Sequence, residues 1–345
     1  MMKRVVVAIG TIGLIVACST VQALPVNSSE AITAVADRLV AMQNPGGTWT
    51  GEEPFTGSIV AGLVQASQNI SGPLSTQYLD AAKLGGDYIV LNHGSNLYGD
   101  EAYALARLTE AGAGAQYGQA AKDFYNSLDT YGYIRGFRGT DASNAVFYVA
   151  QHAVAAYKVG ADDAAVWRDA LVSFLARVGD DAAFYPVQSL GAATWALNQI
   201  GPMDGTRVDP FGLIGEDMWE DVVLADLVAM LAAEQNPAND TFFHRFDHTA
   251  AGPGFETSGY TEDQVFGLLG LITSGNPALD ANILAGRIAL ANGVGPDGIV
   301  YEHIMNGGAA FAVYAGEYLQ VMIPEPATML MLGIGGLLAA RRRRA

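Results

Sequence analysis

Gln43-Asn44-Pro45-Gly46-Gly47-Thr48-Trp49 is the stretch on which the fold turns. The residues before it, Ser29 to Gln43, place Ile32, Val35, Leu39 and Val40 on one stripe, the spacing of a helix with a single buried face. Asn-Pro-Gly-Gly stops that helix, because proline cannot continue the hydrogen-bond ladder and glycine accepts a tight turn. A second helical run then opens at Gly57. Degenerate copies of the junction follow at Asn92–Tyr98, Gln235–Phe243 and Gly295–Tyr301. The aromatics Trp49, Tyr98, Tyr133, Tyr185, Phe243 and Tyr301 mark six junctions at an irregular cadence.

Between residues 28 and 322 the apolar spacing predicts helices over 29–43, 57–67, 76–91, 100–111, 117–129 and 144–159. It predicts six more over 164–178, 187–200, 220–234, 261–272, 279–291 and 309–321. No sustained alternation of Val, Ile and Thr interrupts them, so the predicted class is all-α, with the helices paired into about six hairpins.

Gln-x-x-x-Gly-x-Trp at the end of an amphipathic helix resembles the QW-type repeat of prenyltransferases and squalene–hopene cyclases. The resemblance implies an α/α toroid, in which inner and outer helices alternate around a central cavity. Six-hairpin glycosidases and several polysaccharide lyases share that architecture, and the motif itself packs hairpins, so it carries fold and not chemistry. Cyclase chemistry lacks its residues here. There is no Asp-x-Asp-Asp, in which neighbouring carboxylates hold one proton at a raised pKa, and no Asp-Asp-x-x-Asp. Asp162-Asp163 and Asp180-Asp181 are bare pairs that suit helix N-termini. The lone cysteine, Cys18, precedes the helical body, so no thiolate is left for a prenyltransferase-type zinc site.

Charge divides the chain of 345 residues into a body and two ends. There are 18 Lys and Arg against 35 Asp and Glu, a formal net charge of −17, and half the residues are apolar. That apolar share supports a large core, and the acidic balance excludes a nucleic-acid binder, which needs Lys and Arg against phosphate. Six basic residues sit at the extremes: Lys3, Arg4 and Arg341 to Arg344. The body from Leu24 to Met322 keeps 12 basic and 34 acidic residues, a net of −22.

The first 23 residues read as a signal peptide: a basic start, an apolar run from Val5 to Ala17, and small residues ending at Val21-Gln22-Ala23. Ile15-Val16-Ala17-Cys18 resembles a lipobox, which would instead place a lipid on Cys18. Both readings route the chain through an export translocon. Residues 323–345 hold Pro324-Glu325-Pro326, an apolar stretch from Ala327 to Ala340 that is short for a transmembrane helix, and the arginine tail. These three parts in order resemble the PEP-CTERM sorting signal of exported bacterial proteins. The resemblance implies recognition by an exosortase-type membrane protease, removal of the tail, and delivery to the cell surface or an extracellular matrix rich in exopolysaccharide.

Candidate chemistry collects at the junction loops, which in a toroid crowd the mouth of the cavity. The richest loop holds His244, Asp247 and His248, followed by Tyr260 and Glu262. A histidine or tyrosine there can take the proton beside a uronate carboxylate, as a lyase requires, and Asp247 with Glu262 can flank a glycosidic bond, as a hydrolase requires. His244 and His248 are four apart but lie in a loop, so no metal site is assigned, and no cofactor is implied. A second cluster of Tyr131, Tyr133, Arg135, Arg138 and Asp141, with His152 one helix on, offers stacking and bidentate contacts to a sugar acid. Trp49 with Glu52-Glu53, Tyr98 with Asp100-Glu101, and Tyr301 with Glu302-His303 repeat an aromatic–acid theme. Two functional readings follow. One is a non-catalytic surface protein whose toroid binds carbohydrate, and the other is a polysaccharide lyase or glycoside hydrolase. No constellation has the specificity of a known catalytic motif, which favours the first.

Overall fold

The computed structural model describes residues 29–179, 185–207, 222–249 and 256–322. The signal segment, the Pro324-Glu325-Pro326 motif and the apolar stretch after it lie outside these residues. Thirteen α-helices occur among the described residues, with isolated bridges between loops and no β-strand. They are α1 (Ser29–Met42), α2 (Thr56–Asn69), α3 (Pro73–His93), α4 (Gly99–Glu110), α5 (Ala115–Ser127), α6 (Thr130–Gly136) and α7 (Ala142–Val159). The rest are α8 (Ala164–Leu175), α9 (Pro186–Ile200), α10 (Leu227–Ala233), α11 (Thr261–Thr273), α12 (Asp280–Asn292) and α13 (Ala312–Met322). Twelve match the helices that the apolar spacing predicts. The thirteenth, α6, is a short turn of helix with two glycines and no apolar repeat. It forms because Asp129 caps it, accepting from the Gly132 amide at 3.1 Å.

Six of the helices close a ring. α2 packs on α4, α4 on α7, α7 on α9, α9 on α11, α11 on α13, and α13 returns to α2. The outer helices α1, α3, α5, α8, α10 and α12 each pack against two neighbours of this ring. The chain is therefore an all-α, α/α toroid of six hairpins, with α6 inserted in the third. The inner helices α2, α9, α11 and α13 are buried nearly all round, since each is covered on both flanks and from outside. Glycine lets them approach: a Cβ on Gly62 of α2 would strike the backbone of Gly316 on α13, and one on Gly191 of α9 would strike Phe266 on α11. Two carboxylates tie the first turns together. Glu52 accepts from the Ala312 and Val313 amides of α13 at 2.6 and 2.7 Å, and Asp100 accepts from the Ser58 amide of α2 at 3.1 Å.

The Gln43 junction works as a hairpin lock. Its side-chain amide donates to Gly47 in its own loop (3.2 Å) and to Ala81 on the next outer helix, α3 (2.9 Å), while Trp49 donates to the Leu39 carbonyl (2.8 Å). Gln235 repeats the pattern with Asp240 and with Asn282 on α12, each at 3.0 Å. The buried residue matching Trp49 is Phe242 here and Val300 in the later copy, one place before Phe243 and Tyr301. The aromatic cadence read from sequence is thus a residue out of register at these two junctions, because the inward position accepts any apolar side chain.

Candidate active site

All six inner helices begin at the same end of the ring, so their first turns and the loops before them form one mouth. A cavity of about 160 Å³ opens there, lined by Tyr185, Gln188, His244, Tyr260, Glu262, Asp263, Glu302 and Tyr314. Its volume is below the ~300 Å³ of a pocket that encloses a whole drug-sized ligand, which suits one end or one ring of a longer molecule.

His244 enters because the Phe242–His244 segment is pinned to the strand-like turn before α11: the His244 amide donates to the Thr257 carbonyl at 2.9 Å. Asp263, the third residue of α11, meets it with Oδ2 at 2.7 Å from Nδ1. Both side chains are about 1% exposed, and among the described residues His244 Nε2 and Asp263 Oδ1 have no hydrogen-bond partner. An ionised Asp263 fixes Nδ1 as the donor and leaves Nε2 as a bare acceptor, the arrangement that orients a general base. The tyrosines Tyr260 and Tyr185 flank the imidazole, with ring centroids 4.6 and 5.2 Å away.

Glu262 precedes Asp263 and is pushed up to about 7, first by burial and then by the carboxylates of Asp263 and Glu302, with His244 opposing. Burial likewise raises Asp263, and its hydrogen bond to His244 works the other way. Glu317, one turn along α13 from Tyr314, is 2% exposed, and its Oε2 has no partner among the described residues. Burial and the charges of Glu262 and Asp100 hold it well above the usual carboxylate range. The mouth therefore pairs an oriented imidazole with a carboxylic acid poised to give up a proton near neutrality. Among the described residues no Lys or Arg lines the cavity, and no group of three metal-ligating side chains is placed to hold an ion.

Of the residues singled out in the sequence, His244, Tyr260 and Glu262 converge. Asp247 does not line the cavity: it is exposed, held below the ordinary carboxylate range by the Thr249 hydroxyl (2.6 Å) and amide (3.0 Å). His248 also stands apart, stacked on Phe243 at 3.8 Å and bonded to Glu234 at 2.9 Å. Trp49 is buried in its hairpin. Tyr133 packs in an aromatic cluster with Phe124, Phe137, His152 and Trp167, while Arg135 and Arg138 are exposed. Asp141 caps α7 through the Ser143 amide at 2.9 Å. Sequence reading counts Asp263 in the same polar segment but gives it no role, and it passes over Glu317, which nothing local distinguishes.

Residues 323–344 match the PEP-CTERM protein-sorting motif. The chain thus carries a signal for export and for exosortase sorting at the membrane. No helix among the described residues is long and apolar enough to cross a membrane. No curated protein matches the sequence. Solved structures share the fold: a protein from Actinoplanes is 15% identical over 85% of this chain and 98% of its own, with a TM-score of 0.53. A polysaccharide lyase is 12% identical over 86% of this chain and 96% of its own, also with a TM-score of 0.53.

Proposed function

We propose that the toroid mouth is the active site of a carbohydrate-active enzyme that cleaves glycosidic bonds of a polysaccharide outside the cell. The observation that carries this reading is the buried His244–Asp263 pair with a bare Nε2 at a cavity that also holds Glu262. In hydrolysis His244 takes a proton from water as its oxygen bonds the anomeric carbon, and Glu262 gives its proton to the departing glycosidic oxygen. The acidic lining favours a neutral or amino-bearing sugar over a uronate, whose carboxylate would meet Asp263 and Glu302. In the processing that accompanies this reading, the signal segment is cleaved near Ala23 or Cys18 is lipidated. The exosortase then acts at Pro324-Glu325-Pro326 and releases the protein to the surface or matrix.

Elimination from a uronate is the second reading, supported by Tyr185 and Tyr260 beside the imidazole and by the polysaccharide lyase among the fold neighbours. Binding without cleavage is the third, supported by exposed aromatics around the mouth: Phe55, Tyr98, Tyr148 and Phe311. Incubating the purified protein with neutral, amino-sugar and uronate polysaccharides separates them. New reducing ends without absorbance at ~235 nm mark hydrolysis, both signals together mark elimination, and retention on a glycan column with neither marks binding alone. Silence in all three defeats the carbohydrate reading. A Pro324→Ala/Glu325→Ala chain is expected to stay unprocessed in its own host, as immunoblotting would show.

A further inference from the structure

The mouth holds a second group built like the first. In α11 the residue before the helix is Tyr260, the second residue is Glu262, and the third, Asp263, binds His244. In α4 the corresponding residues are Tyr98, Asp100 and Glu101, and Glu101 binds Nδ1 of His93 at 2.5 Å. Each tyrosine ring touches its histidine, Tyr98 at 6.3 Å and Tyr260 at 4.6 Å between centroids. Asp100, like Glu262, is raised to about 7, by burial and by its acidic neighbour. Around the ring, α4 and α11 are separated by two inner helices in either direction, so the groups face each other across the axis. Glu317 is near enough to both for each to raise its pKa, and its buried Oε2 lacks a partner among the described residues.

The two groups differ in access. His244 is 1% exposed and closed over, whereas Tyr98 is 44% exposed and the His93 side chain 25%. Tyr148 of α7, near enough to Asp100, Glu262 and Tyr98 for them to raise its pKa, is 38% exposed. An open tyrosine face beside the part-exposed carboxyl of Asp100 matches a sugar, whose C–H face stacks and whose hydroxyl edge donates hydrogen bonds. A 160 Å³ cavity holds too little of a polysaccharide to grip it alone.

We propose that the His93–Tyr98–Asp100 group is a second sugar-binding subsite, which holds a glycan chain across the axis from the His244 group. It rests on the carbohydrate reading above and adds a length requirement: a chain long enough to span the axis binds more tightly than a short one. Calorimetric titration of the full chain with chitin and cello-oligosaccharides of two to six units tests it. At least one series is expected to gain tenfold or more in affinity from dimer to hexamer. Tyr98→Ala removes that gain while leaving dimer affinity in place, and Tyr98→Trp retains it. A Tyr98→Ala protein of unchanged melting temperature that still prefers the hexamer tenfold overturns the subsite, as does a wild-type protein with no length dependence. Failure of every oligomer and of the polysaccharides above to bind overturns the carbohydrate reading instead.

Discussion

Two of the histidines that the toroid buries among tyrosines have opposite characters. His152 on α7 lies in an aromatic box, stacked on Trp167 at 4.6 Å, with the Tyr125 hydroxyl 3.1 Å from Nδ1. Burial alone drives it down to about 3, and it stays neutral at any ordinary pH. His244 is equally buried but bonded to Asp263, and its second nitrogen is left bare at a cavity. Burial without a charge partner holds an imidazole neutral, whereas a buried carboxylate beside it fixes which nitrogen carries the proton. In the sequence cluster around Tyr133 and Arg135, only Tyr133 joins the aromatic box, while Tyr131 and both arginines turn out.

Exchanging each histidine is the strongest test of this contrast. His244→Ala is expected to lower kcat/KM for glycan cleavage by about 10²–10⁴, the range for loss of a general base. His152→Leu is expected to keep kcat/KM within about threefold and to cost ~1–3 kcal/mol in urea unfolding. Equal loss of activity in the two would erase the distinction. Trp167→Ala, which empties the floor of the aromatic box, is expected to destabilise by ~3–5 kcal/mol.

The regions also pull stability in opposite directions with pH. Glu262 binds its proton more tightly folded than unfolded, so its contribution falls as pH rises from about 4.5 to about 7. His152 binds its proton less tightly folded, so stability falls as pH drops below about 6.5 towards 3. Melting temperatures across pH 4–8 are expected to lose the first slope in Glu262→Gln and the second in His152→Leu; unchanged profiles would contradict both assignments. The smallest effect is expected from Tyr125→Phe, about 1 kcal/mol, because one buried hydrogen bond is lost while packing remains.

Much of the architecture was legible because it is local. Apolar spacing located twelve helices, Gln43 and Gln235 marked hairpins, and Pro324-Glu325-Pro326 announced the sorting motif. The site was legible only in part. His244, Tyr260 and Glu262 were found as a dense polar segment, but Asp247 and His248 from the same segment bond to neighbours instead of facing the cavity. Adjacency in a loop says nothing about direction, because consecutive side chains there follow the turn and not a face. Asp263 meets His244 through the path of one long junction, whereas the surroundings of Glu317 and the Glu52 contact to α13 depend on ring closure. In the last case the bonded residues are 260 and 261 positions apart, beyond any pattern that local spacing can carry.

The direction of the first and last helices has a consequence for how the protein is presented. α13 starts at the mouth and runs 11 residues, or about 16 Å, to Met322, immediately before the sorting motif. α1 runs the other way and reaches the mouth at its C-terminal end, so Ser29 lies on the same far face as Met322. Both ends of the described body therefore leave from the side opposite the cavity. The body thus hands the chain to its sorting motif at the face opposite the site, so loss of the residues after Met322 leaves the lining of the mouth intact.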